Sequence, residues 1–97
     1  MIRHIALFRL KAEAPSDTSR ALEDELFQLA QKIPEIERYD YGSDLGLREG
    51  NYDFGVVADF DSADAFKAYA THPDHLAFIE NVLGPVLEER VSIQFEI

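Results

Sequence analysis

Residues Ile2–Leu10 read IRHIALFRL, and the way this stretch divides between its two sides decides the fold. Successive side chains of a strand point to opposite faces, so Ile2, His4, Ala6, Phe8 and Leu10 share one side. Ile5 and Leu7 lie on the other, between Arg3 and Arg9. Both faces carry apolar residues, the pattern of a strand buried on two sides. A layer of helices covers one face of a sheet, so such a strand asks for a second cover.

Working outward, Pro15 and the polar run Ser16-Asp17-Thr18-Ser19 precede a helix over about Asp17–Ile33, and that run is expected to supply its cap. Leu22, Leu26, Leu29, Ala30 and Ile33 recur at helical spacing, and Pro34 ends the element. Ile36–Leu47 reads as a second strand, with Tyr39 and Tyr41 on one face, and the Glu49-Gly50-Asn51 turn leads to a third over Tyr52–Phe60. A short helix is expected over Ser62–Ala70, with Phe66 and Tyr69 as its apolar points. A second helical piece begins at Pro73, carries the stripe Leu76, Ile79, Val82 and Leu83, and is interrupted or kinked at Gly84-Pro85. Val91, Ile93, Phe95 and Ile97 alternate in a last strand.

The order β-α-β-β-α-β is the ferredoxin-like α+β arrangement, a four-stranded antiparallel sheet with its helices on one side. The opposite face is then bare but apolar, and a second copy of the chain is the simplest cover for it. The 97 residues fit one domain, 1–97, with a modest core, and a small core also favours self-association.

Composition narrows the partners. Nine Lys and Arg face 19 Asp and Glu, a formal net charge of -10. Such a chain is repelled by nucleic-acid backbones and anionic membranes. The apolar run Ile5–Phe8 is too brief for a signal core or a membrane span, so a cytoplasmic location is expected. With no cysteine there is neither a disulfide framework nor a thiol nucleophile. No nucleophile elbow, phosphate loop or dinucleotide fingerprint is present, and no cofactor is expected.

The chemistry-bearing residues gather in YATHPDHLAFIE, Tyr69–Glu80. Pro73 suits the first helical position and pushes His72 toward the extended conformation of a cap, which places His75 in the first turn. The plainest reading is a helix start, with Asp74 favoured at the positive end of the helix dipole. The sharper one gives His75 a neutral imidazole, available as base or hydrogen-bond partner. His4 shares a face with Ala6 and Phe8 and is either a satisfied core residue or a cavity group. If its face lies beneath the helices, His4, Tyr69 and His75 share one cavity, suited to small-molecule binding or acid–base work. A metal site is the weaker reading, because His-x-x-His with proline in the gap lacks the spacing of helical zinc motifs. Asp53 and Asp59, on the polar parity of the third strand, are expected to be solvated or ion-paired.

The chain resembles the stress-responsive dimeric α/β-barrel family, the Dabb domain, along essentially its whole length. The resemblance is carried by Ile2-Arg3-His4-Ile5-Ala6-Leu7-Phe8, Tyr41-Gly42-Ser43-Asp44, Phe60-Asp61-Ser62 and Tyr69-Ala70-Thr71-His72-Pro73-Asp74-His75. It implies a homodimer whose two sheets face each other as a barrel, with the helices outside. The family includes a plant polyketide cyclase similar to this chain at His4, Tyr69 and His75, where the corresponding groups line a pocket and the second motif histidine acts in an aldol cyclisation. Other members are stress proteins without a settled reaction, and some carry a metal. This chain lacks the aspartate often found in the family's last strand.

The reading that follows is a homodimer holding a small, partly apolar molecule of aromatic or polyketide-like character between sheet and helices. His4, Tyr69 and His75 are its polar contacts, and His75 is the candidate base. The competing readings are a non-catalytic structural stress protein and, by fold analogy, a monooxygenase-like dimer.

Overall fold

The computed structural model describes Met1–Ile97. Strand β1 (Ile2–Leu10) lies inside a four-stranded sheet, flanked by β3 (Phe54–Phe60) and β4 (Leu87–Glu96), with β2 (Arg38–Ser43) outside β3. The order is β2-β3-β1-β4 and every neighbouring pair is antiparallel. This is the ferredoxin-like fold expected from the element order. Helix α1 (Thr18–Lys32) follows β1, and α2 (Ala63–Ala70) and α3 (Pro73–Phe78) follow β3. A π-helical turn, Ile79–Leu83, and a 3-10 turn, Gly84–Val86, link α3 to β4.

The register assigns the faces. His4 sits opposite Ala58 and Gln94, and Ile5 opposite Val57 and Ile93. Ala6, Phe8, Phe54, Val56, Ala58 and Phe60 form the sheet's share of the core, and α1 closes it with Leu22, Leu26 and Leu29. Ile33, just beyond α1, is also fully buried. The other face carries Ile5, Leu7, Val57, Val91, Ile93 and Phe95 with no element over it, and Ile93 is left 58% exposed. On that same face Arg3 forks onto Asp59, at 2.8 Å and 2.9 Å, and so allows Asp59 to be buried. The guanidinium holds the Asp59 carboxyl below the usual carboxylate range. Asp53 accepts from the Leu10 backbone N–H at the end of β1.

Three local expectations are corrected. Helix α1 has no side-chain cap: Asp17 at the cap position has φ -94° and ψ 10°, away from the extended geometry a capping side chain needs. Thr18 Oγ1 instead donates to the Pro15 carbonyl. Strand β2 stops at Ser43 rather than Leu47, because Asp44 turns the chain by accepting from the Gly46 N–H and the Asn51 amide. Gly46 has φ 73°, and Leu45 beside it is 82% exposed. Strand β3 accordingly begins at Phe54, opposite Ser43, and not at Tyr52.

Candidate functional site

The Ser62 Oγ accepts from the Ala65 N–H and starts α2, whose last turn delivers Tyr69 beneath the helical layer, 3% exposed. The chain then breaks at Thr71. His72 adopts φ -61° and ψ 134°, and its Nδ1 accepts from the Asp74 N–H at 3.1 Å, so this histidine caps α3 while Pro73 occupies the first helical position. The cap reorients the next turn and brings His75 back against Tyr69, with ring centroids 4.2 Å apart. His75 Nδ1 donates to the Ala70 carbonyl at 3.1 Å, since a carbonyl can only accept. Its neutral ring therefore carries the proton on Nδ1 and keeps the Nε2 lone pair free.

His4 approaches from β1, its ring 6.2 Å from Tyr69 and 5.0 Å from Phe66. The Gln94 amide donates to His4 Nδ1 at 2.9 Å, which leaves the His4 proton on Nε2. The Tyr69 hydroxyl meets that of Tyr39 at 2.8 Å. His4, Tyr69 and His75 thus border one cavity of about 400 Å³ between the sheet and α2, α3 and the π-helical turn. Its walls are mostly apolar, with Phe66, Leu76, Ile79 and Leu83 among them. The cavity opens along β4, where Arg90, Ser92 and Gln94 line it and are exposed. Gly84 permits the turn beside Leu83, because a Cβ there would stand 3.0 Å from the Ile79 carbonyl oxygen.

Burial dominates the electrostatics. It pushes His4 down to about 4, helped by the nearby His75 and Arg90. His75 is lowered by burial too, partly offset by its bond to the Ala70 carbonyl, with Arg90 and His72 adding to the fall. Both imidazoles are neutral at neutral pH. Burial raises Tyr69 to about 12, although the Tyr39 bond and Arg90 pull it back, and it raises Tyr39 further. Either hydroxyl can donate in the Tyr39–Tyr69 pair. When Tyr39 donates, the Tyr69 proton is free for the cavity.

Reading the sequence picked out His4, Tyr69 and His75 but not Tyr39, Arg90, Ser92 or Gln94. The available signal was parity: if Val91, Ile93 and Phe95 face one way, the alternate residues of the last strand face the other, beside His4. No three His, Asp or Glu side chains are grouped so as to hold a metal ion. No helix is long and apolar enough to cross a membrane.

One antiparallel sheet, helices on a single side and a cavity between the layers define a ferredoxin-like protein with an internal pocket. The chain belongs to the family of stress responsive A/B barrel domains, whose profile matches residues 2–97. An uncharacterised protein of Streptomyces coelicolor is 35% identical over 79 residues, covering 79% of this chain and 81% of that one. A dimeric ferredoxin-like protein of unknown function from Thermobifida fusca is 47% identical and superposes with a TM-score of 0.91, over 99% of this chain and 90% of that one. The hydroxynitrile lyase of Passiflora edulis shares the fold at 23% identity, with a TM-score of 0.85 and coverage of 99% and 92%.

Proposed function

We propose that the chain works as a homodimer that holds a small, partly apolar carbonyl or phenolic compound in the cavity, and that His75 acts on it as an acid–base group. The observation that carries this reading is the convergence of His4, Tyr69 and His75 on one apolar-walled cavity, with the His75 Nε2 lone pair unspent. Self-association is supported by the bare apolar face and by the dimeric description of the Thermobifida fusca protein.

The chemistry follows from the protonation states. Nε2 of neutral His75 takes a proton from the carbon beside a bound carbonyl; the C–H electron pair becomes the C=C bond of an enolate and the carbonyl π pair moves onto its oxygen. Tyr69, kept protonated by its raised pKa, donates to that oxygen as charge develops. The imidazolium then returns its proton to the product, which restores the base. His4, held by Gln94, presents its Nε2–H as a second donor. The fold is shared with a hydroxynitrile lyase, so the same architecture serves an enzyme in that protein.

A thermal-shift screen of aromatic and short polyketide-like carbonyl compounds should find ligands, since one at 100 times its Kd adds about 2.7 kcal/mol to the folded state. For each ligand, exchange of the proton beside the carbonyl is followed by NMR in heavy water. Exchange accelerated by the wild type and lost in His75→Ala is the expected result. Binding without exchange would reduce the protein to a ligand-holding module. No ligand from a broad library would remove both readings.

A further inference from the structure

Of the four arginines on the strands of the sheet, Arg90 alone has no ion-pair partner, in a chain with 19 acidic residues. Arg3, Arg9 and Arg38 are each matched by a carboxylate, and all three have their partners on the strands of the sheet. Glu89, next to Arg90 in sequence, is turned to the opposite face and is engaged by Tyr52 and Arg9. The register explains the difference. Arg90 lies opposite Phe8 and therefore projects on the helix side of β4, where Ser92 and Gln94 line the same opening and no acidic side chain lines the cavity.

We propose that the cavity selects a singly charged carboxylate with an apolar body, its carboxylate on the Arg90 guanidinium at the opening and its body against the apolar wall formed by Phe66, Leu76 and Ile79. This deepens the function proposed above and rests on it. A guanidinium presents a planar fork of donors that matches a carboxylate edge-on, and Ser92 and Gln94 add neutral hydrogen-bonding groups beside it. The charge is the argument against a phosphate ester. A dianion needs more than one cation to offset repulsion from a protein of net charge -10, and Arg90 is the sole Lys or Arg lining the cavity. The arrangement also orients the ligand: with its acid group fixed at β4, the carbons along its body are directed inward toward Tyr69 and His75. The electrostatic influence of Arg90 on His4, Tyr69 and His75 alike agrees with its position near all three.

The test uses the full chain and matched probes: phenylalkanoates of two to six chain carbons, their primary amides and the corresponding alkyl phosphates, titrated by calorimetry at low and high salt. Wild type should bind the best acid about tenfold more tightly than its amide, the scale of one hydrogen bond to a charged group. That preference should shrink as salt rises. Arg90→Gln should bring acid and amide to equal affinity, and Arg90→Lys should restore part of the preference. Arg90 is exposed, so both variants are expected to keep the wild-type melting temperature. Equal affinity for acid and amide in wild type would overturn the carboxylate assignment while leaving the cavity as a binding site. An undiminished acid preference in Arg90→Gln, or tighter binding of the phosphates, would also overturn it. Binding of none of the probes at millimolar concentration would reject both this assignment and the cavity's role.

Discussion

Strand β4 turns Arg90, Ser92 and Gln94 toward the helices and Val91, Ile93 and Phe95 toward the face that nothing covers. The usual distribution is reversed along this strand, with polar groups on the covered side and apolar groups on the bare one. At β3, two strands away, the covered side is an apolar core of Phe54, Val56, Ala58 and Phe60, of which Val56 alone reaches the cavity. The contrast teaches that the two faces serve different ends. The covered face is an apolar core along β3 and a polar-tipped opening along β4, whereas the bare face has the composition of an interface.

The largest effect should come from the apolar core of the covered face. Phe60→Ala removes a fully buried ring and should cost about 3–5 kcal/mol in denaturant melts. For a chain of this size that is a large part of the total stability. A loss below 1 kcal/mol would mean that the core is looser than its burial implies. On the bare face, Leu7→Glu should leave the secondary structure of the chain intact but put a charge into the contact between copies, at a cost of several kcal/mol of association. Light scattering at low micromolar protein should then read one chain mass for the variant and two for the wild type. A Leu7→Glu chain that still pairs would break the comparison, because the bare face would no longer be the interface.

A smaller effect separates the two motif histidines of the covered face. His72→Ala removes a cap and should cost about 0.5–2 kcal/mol of stability while sparing ligand binding. His75→Ala should abolish proton exchange and hardly move the melting temperature. Equal stability losses with unaltered exchange would make the motif purely architectural.

The smallest effect is in pH, and it distinguishes the faces by their windows. Above about pH 6.5 His4 is neutral in the folded and unfolded chain alike, but between 6.5 and about 4 the unfolded chain takes up a proton that the folded chain refuses. Stability should therefore decline as pH falls through that interval, and His4→Gln should flatten part of the decline. The Asp59 contribution on the bare face is present above 3.8 and is lost only as pH drops further, through its lowered folded value. Two successive phases in a pH series of melts are the expected result. A single phase below pH 4, identical in wild type and His4→Gln, would remove His4 from the covered, desolvated class.

The fold was legible because its signals are local and periodic. IRHIALFRL announces a strand with two apolar faces, and Pro73 marks the restart of the helix after Tyr69. The alternation of Val91, Ile93 and Phe95 was equally plain, but the alternation alone does not say which face lies beneath the helices. That assignment comes from pairing β4 with β1 across most of the chain length, and for that reason Arg90 and Gln94 were missed while His4 was found. Strand β2 was read too long because the Asp44 turn depends on Asn51, seven residues away in sequence. The missing cap of α1 is of the same kind: the residue types are right, and the backbone angles decide against them.

The chain has four tyrosines and no tryptophan, so its intrinsic ultraviolet emission is tyrosine emission. Three of the four form one cluster, with Tyr39 and Tyr41 5.7 Å apart and Tyr39 and Tyr69 6.0 Å apart. At such separations excitation can pass between the rings, and the Tyr39–Tyr69 hydroxyl pair borders the cavity. A ligand of the proposed kind that takes the Tyr69 proton into a new hydrogen bond should alter the emission of this cluster, while Tyr52, bonded to Glu89, lies outside it. Tyrosine emission is thus a label-free readout for the ligand-binding experiments proposed above.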